Sequence, residues 1–129
     1  MKYNGKDVAL VAEDNPPIRM LIEDTLEEYG IKVHTYPNGE KLCNEVDRRR
    51  QSGEGYGLVL TDRKMPVMGG EEVIRRIREH DTKTPIYLVT GTPLREGELR
   101  ELPVDGQVEK PITPGKLREV LQNEGLGSV

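Results

Sequence analysis

Tryptophan and phenylalanine are absent from this sequence of 129 residues, and its aromatic residues are five tyrosines. A hydrophobic core therefore has to be built mainly from valine, isoleucine and leucine. Few aromatic side chains are available to stack on a flat cofactor, which disfavours a flavin carrier.

Cysteine occurs once, at Cys43, so no internal disulfide can form. A reducing, cytoplasmic setting is the simplest expectation. No apolar run approaches the roughly 20 residues that a membrane-spanning helix needs, so we expect no membrane contact by this chain.

A strong excess of positive charge is also missing, because 19 basic residues face 23 acidic ones and the formal net charge is −4. The basic residues are interspersed with acids, so the broad basic surface that nucleic acids require is not expected. We predict no direct nucleic-acid partner.

The length of the chain fits one domain without a separate output module. We expect a single domain over residues 1–129, with its packed core over about residues 6–123.

Patterns of strands and helices alternate along the chain. Val8–Ala12 is a short apolar run typical of a strand buried on both faces. After Pro17, apolar residues recur at three-and-four spacing, which indicates an amphipathic helix. The predicted strands are 8–12, 31–36, 58–61, 86–89 and about 107–108, and the predicted helices are about 18–29, 39–50, 70–80, 95–102 and 114–122.

This alternation predicts an α/β fold, a doubly wound parallel sheet of five strands with helices on both faces. Ligands bind such sheets outside the carboxyl ends of the strands. Chemistry is therefore expected at that rim.

Polar side chains follow four of the predicted strands. They are Glu13 and Asp14 after the first strand, Asp62 after the third, Thr90 after the fourth and Lys110 after the fifth. Three converging carboxylates repel one another, and a hard divalent cation such as Mg²⁺ is the usual remedy. A lysine and a hydroxyl beside them suit a phosphoryl group. Asp62 would then be the nucleophile, Lys110 would neutralise charge on the transferring oxygens, and Thr90 would hydrogen-bond the product.

The same strand ends carry four longer motifs, Val11–Asn15, Leu58–Gly70, Leu88–Thr92 and Glu109–Pro111. Together they resemble the response-regulator receiver family of two-component phosphorelays, within the chemotaxis-regulator-like superfamily. The resemblance covers nearly the whole chain.

The resemblance implies a flavodoxin-like strand order, 2-1-3-4-5, and a bound Mg²⁺. The implied metal ligands are Glu13, Asp14, Asp62 and the backbone carbonyl of Lys64, and the Lys110–Pro111 bond is expected to be cis. The phosphoryl donor would be a sensor histidine kinase or a histidine phosphotransfer protein.

A receiver is expected to be a signalling phosphoacceptor rather than an enzyme. Its only chemistry would be self-phosphorylation and slow self-dephosphorylation. Phosphorylation would switch binding to a downstream protein that the sequence does not name. The face from the fourth to the fifth helix is a candidate homodimer surface.

The sequence departs from the family pattern most clearly at Gln107. Gln107 stands three residues before Lys110, where the family usually has the tyrosine or phenylalanine whose rotamer reports phosphorylation. We expect Gln107 to weaken the coupling between the phosphoacceptor and the signalling face.

Three alternatives stay open on the sequence alone. A degenerate receiver would act through protein contacts without phosphorylation, although the intact acids and lysine oppose this. A phosphatase of the haloacid dehalogenase class would need a second acid at Lys64. A flavodoxin-like cofactor carrier would need a hydroxyl-rich phosphate loop after the first strand, and none is found.

Lys64 and Thr92 align with family positions that border the attacked phosphorus. We predict that substituting either residue changes the lifetime of the acyl phosphate, because each controls the access of the hydrolysing water. Phosphate release from the phosphorylated variants measures this, and unchanged decay in both would contradict it.

Overall fold

A computed structural model of the chain describes residues 5–128, so both ends of the predicted 1–129 domain lie outside the described residues. The strands are β1 Val8–Ala12, β2 Lys32–Tyr36, β3 Leu58–Asp62, β4 Ile86–Thr90 and β5 Gly106–Glu109. The helices are α1 Pro16–Glu28, α2 Gly39–Ser52, α3 Gly70–Arg78, α4 Glu96–Glu101 and α5 Pro114–Glu124. No helix within residues 5–128 combines the length and the apolar character needed to cross a bilayer.

The five strands form one sheet in the order β2-β1-β3-β4-β5. Every neighbouring pair is parallel. The α/β fold class, the doubly wound sheet and the strand order 2-1-3-4-5 are therefore confirmed.

The three central strands are buried along their whole length. Successive side chains of a strand point to opposite faces, so each central strand contributes to two cores. Ala9 and Val11 of β1 pack in the core beneath α1 and α5. Leu10 packs in the opposite core, with Leu42 of α2 and Ile74 of α3. This double burial explains why the central strands read as continuous apolar runs.

Two of the loops at the rim end in a helix whose first turn is capped by a side chain. The Asn15 side chain accepts a hydrogen bond from the Ile18 N–H at 3.1 Å, which starts α1 only three residues after β1 ends. Thr113 caps α5 in the same way through the Lys116 N–H at 3.2 Å. The Asn15 cap fixes the position of the loop that carries Glu13 and Asp14.

The boundaries differ from the predicted ones by one or two residues. Asp62 and Thr90, which were expected just after their strands, are the last residues of β3 and β4. The ladder continues through them because each still pairs with its neighbouring strand. Helix α2 runs on to Ser52, whereas α3 ends at Arg78 rather than His80.

Gly39 begins α2 where that helix approaches the loop before α3. A Cβ atom at this position would lie 2.6 Å from the Met68 carbonyl oxygen and would also overlap the Val73 side chain. We therefore predict that Gly39→Ala lowers the free energy of unfolding by about 1–3 kcal/mol, because the backbone must shift. Urea denaturation measures this.

Gly97→Ala is the matched control, because Gly97 is exposed and has nothing within 4 Å of an added Cβ. It should leave stability unchanged or raise it by about 0.5–1 kcal/mol, through better helix propensity. Equal destabilisation by both substitutions would contradict the packing argument.

Candidate functional site

A cleft of about 470 Å³ opens at the carboxyl ends of β1, β3, β4 and β5. It is lined by seven of the eight residues that the sequence singled out, namely Glu13, Asp14, Asp62, Lys64, Thr90, Thr92 and Lys110. Gln107 does not line this cleft. The prediction that the strand ends converge on one rim is confirmed.

Three carboxylates meet at the base of the cleft. One oxygen each from Glu13, Asp14 and Asp62 lies within 4.8 Å of the others. Glu13 is 1% exposed and Asp62 4% exposed, while Asp14 faces solvent. The pairing of β1 with β3 brings these acids together, because the two strands end side by side.

Lys110 is the cation that reaches the two buried acids. Its Nζ atom lies 3.1 Å from Oδ2 of Asp62 and 3.7 Å from Oε1 of Glu13. The Lys110–Pro111 peptide bond is cis, as the family resemblance implied. Arg63 and Lys64 also line the cleft, but at its buried base one lysine faces two carboxylates, which leaves more negative than positive charge there.

The pKa of the Glu13 carboxyl group is raised by its burial and by this negative charge. Burial, and then the negative charge of Asp62, raise the pKa of Glu13 to about 7, against opposing effects of the Asn15 N–H and Lys110. The Glu13 Oε1 atom is buried and has no hydrogen-bond partner among the described residues. A buried carboxylate oxygen without a donor is costly. The donor set of oxygen atoms and its unmet charge thus fit a hard divalent cation.

The hydroxyl at the end of β4 is engaged within its own loop. Thr90 Oγ1 donates to the Thr92 carbonyl oxygen at 2.9 Å and accepts from the Thr92 N–H at 3.0 Å. Arg63 Nη1 donates to the same carbonyl at 3.0 Å. Sequence reasoning missed Arg63, whose only signal was its place directly after Asp62.

Gln107 lies on β5, outside the cleft, but it contacts the loop that follows β4. Its side-chain amide makes two hydrogen bonds to the backbone of Leu94. The sequence showed only that an aromatic side chain is absent here. The structure shows that the side chain at this position hydrogen-bonds the backbone of Leu94.

The fold and the cleft agree with the comparisons with known proteins. The family model described as "Response regulator receiver domain" matches residues 9–122. The chain belongs to the response-regulator receiver family. This receiver domain is thus of the kind used in two-component systems.

Individual relatives agree with the family. The chain is 34% identical over 120 residues to Two-component response regulator 24 of Arabidopsis thaliana, covering 91% of this chain and 83% of the relative. It is 32% identical over 126 residues to the autoinducer 1 sensor kinase/phosphatase LuxN of Vibrio campbellii, covering 93% of this chain but only 14% of that protein. Among solved structures, chemotaxis protein CheY4 of Vibrio cholerae superposes with a TM-score of 0.80 at 26% identity, covering 91% of this chain and 97% of that one.

Family membership weighs against the alternatives that the sequence left open. A receiver is neither a haloacid dehalogenase phosphatase nor a flavin carrier, and Lys64 is not the second acid that such a phosphatase needs. The degenerate receiver has no support, because the acids, the hydroxyl and the lysine all line one cleft.

Removing the charge of Glu13 should have opposite effects with and without a divalent cation. We predict that Glu13→Gln stabilises the metal-free protein at pH 7.5 by about 1–3 kcal/mol, because a buried like-charge repulsion disappears. Added Mg²⁺ should raise the melting temperature of the wild type more than that of the variant. Thermal denaturation in EDTA and in a MgCl₂ series measures both effects.

Glu28→Gln is the matched control at an exposed position of α1. It should match the wild type in both buffers. A Glu13→Gln variant that is less stable in EDTA, or that keeps the full response to Mg²⁺, would refute the repulsion argument.

Proposed function

We propose that this receiver accepts a phosphoryl group on the carboxylate of Asp62. The observation that carries the proposal is the pairing of a buried Asp62 with Lys110 at 3.1 Å, at the base of a cleft that holds two further acids. An isolated aspartate at a strand end would not need a lysine partner or an acidic surround. A phosphoryl group makes use of both, through neutralisation by the lysine and through a shared cation.

The phosphoryl donor is a phosphohistidine. An Asp62 oxygen attacks phosphorus in line, an O–P bond forms, and the N–P bond breaks as the imidazole leaves and takes up a proton. Lys110 compensates negative charge on the phosphoryl oxygens. Thr90 turns its hydroxyl from Thr92 to a phosphoryl oxygen.

The divalent cation of the site is Mg²⁺, held by Glu13, Asp14, Asp62 and the backbone carbonyl of Lys64. When bound, it supplies positive charge that offsets the clustered carboxylates and the phosphoryl oxygens. The unsatisfied Oε1 of Glu13 supports this assignment.

The domain acts as a signalling phosphoacceptor and not as an enzyme on outside substrates. Water attacks phosphorus to return the Asp62 carboxylate and inorganic phosphate, and Lys64 and Thr92 border its path. Both residues line the cleft beside Asp62, which supports this role.

The donor is a sensor histidine kinase or a histidine phosphotransfer protein, in the cytoplasm. The relative from Vibrio campbellii is named as a sensor kinase/phosphatase, which supports this class of partner. Phosphorylation switches binding to a downstream protein, with neither nucleic acid nor membrane contacted by this domain. The face from α4 to α5 is the candidate surface for a homodimer.

Asp62→Asn should abolish phosphorylation, because an amide cannot act as the nucleophile. We expect the wild type to gain one Mg²⁺-dependent phosphoryl adduct on incubation with acetyl phosphate or phosphoramidate. Intact-mass spectrometry measures the adduct with and without Mg²⁺.

Asp24→Asn is the matched control, at an exposed position of α1, and should be phosphorylated like the wild type. A phosphoryl adduct on Asp62→Asn would show that another residue is the phosphoacceptor. No adduct in the wild type under any condition would favour the contact-only receiver.

A further inference from the structure

The segment from Gly91 to Arg95, here called the β4–α4 loop, joins the Thr90 hydroxyl to helix α4. The side chain of Gln107, on β5, makes hydrogen bonds to the backbone of this loop. The Leu94 N–H donates to Gln107 Oε1 at 2.9 Å, and Gln107 Nε2 donates to the Leu94 carbonyl oxygen at 3.1 Å. One side chain thus satisfies both backbone groups of one loop residue.

Both residues that make these two hydrogen bonds are at least partly buried. Leu94 is 6% exposed and packs in the core shared with α2 and α3, and Gln107 is half-buried. Leu94 precedes α4, so its N–H and carbonyl groups lie outside the regular hydrogen bonds of that helix. The two hydrogen bonds are partly buried, so their loss would leave the Leu94 N–H and carbonyl groups without their protein partners.

At the other end of the loop, the Thr90 hydroxyl is already engaged in hydrogen bonds to the loop backbone. Thr90 both donates to and accepts from the backbone of Thr92. To donate to a phosphoryl oxygen, the Thr90 hydroxyl has to give up its bond to the Thr92 carbonyl, which would keep Arg63 as a donor. If Oγ1 itself shifts toward the phosphoryl group, the Thr92 N–H loses its acceptor unless the loop moves with it.

We propose that Gln107 is a positioning residue that latches the β4–α4 loop in its resting form through Leu94, and so opposes the turn of Thr90 toward the phosphoryl group. The consequence for phosphorylation rests on the function proposed above. An interaction made only in the resting form lowers the population of the other form by its own Boltzmann factor. The Gln107 latch therefore places two hydrogen bonds at the position where the family usually has its switch aromatic.

Gln107→Leu removes both hydrogen bonds at similar size and without adding charge. It should bind beryllofluoride, a phosphoryl mimic, about fivefold or more tightly in the presence of Mg²⁺, as the loss of two neutral hydrogen bonds allows. It should also lose hydrogen-exchange protection at the Leu94 amide in the free protein, while the amides of β1 and β3 keep theirs. Calorimetric titration and exchange measured by NMR supply the two readouts.

Gln51→Leu is the matched control, at an exposed position of α2, and should behave like the wild type in both measurements. A general loss of stability would lower protection throughout and would weaken binding of the mimic. Unchanged or weaker binding by Gln107→Leu, or an unchanged Leu94 amide, would overturn the latch.

The two proposals fail in different ways. If the wild type and Gln107→Leu both fail to bind beryllofluoride, the phosphoacceptor function falls and the regulatory role of the latch falls with it. If the wild type binds the mimic and Gln107→Leu does not bind it more tightly, only the latch is lost. Protection at Leu94 is measured in the free protein and judges the hydrogen bonds alone.

Discussion

Two buried carboxylates that share one lysine are the constraint on which the site depends. Glu13 and Asp62 are almost wholly inaccessible, and Lys110 approaches both. Burying like charges is unfavourable, and a single ammonium group cannot compensate two of them fully. The raised pKa of Glu13 is the direct result. The arrangement depends on a fold that holds these residues in place, and a bound cation would supply the contact that Glu13 Oε1 lacks.

The parallel sheet is the part of the fold that meets this constraint. Its central strands are buried on both faces, so each must be apolar until it reaches the rim, where polar residues begin. All five strands run the same way, and their polar ends therefore meet. The short capped loop at Asn15 keeps Glu13 and Asp14 beside the end of β3. The strand ends thus concentrate charge that the interior of the sheet excludes.

The alternation of strands and helices and the polar residues at four strand ends could be predicted from local patterns in the sequence. The strand order and the positions Lys64, Thr92 and Gln107 were identified through the family resemblance. The contacts of Gln107 and Arg63 could not be predicted in this way. They join side chains to the backbone of the β4–α4 loop, whose path depends on how α4 packs, and α4 is only six residues long. Gln107 was recognised as a missing aromatic, but which backbone groups it binds is a property of the folded loop.

The β4–α4 loop has to satisfy two opposing demands. Gly91, directly after Thr90, is exposed and has nothing within 4 Å of an added Cβ, so neighbouring atoms do not constrain it there. Glycine also widens the range of backbone conformations open to the loop. At the other end, Leu94 is buried and bonded twice to Gln107. Freedom at Gly91 favours movement of the Thr90 hydroxyl, whereas the restraint three residues further on, at Leu94, opposes it. On the proposed function, a change at Asp62 would reach α4 through this loop only if the two hydrogen bonds at Leu94 break.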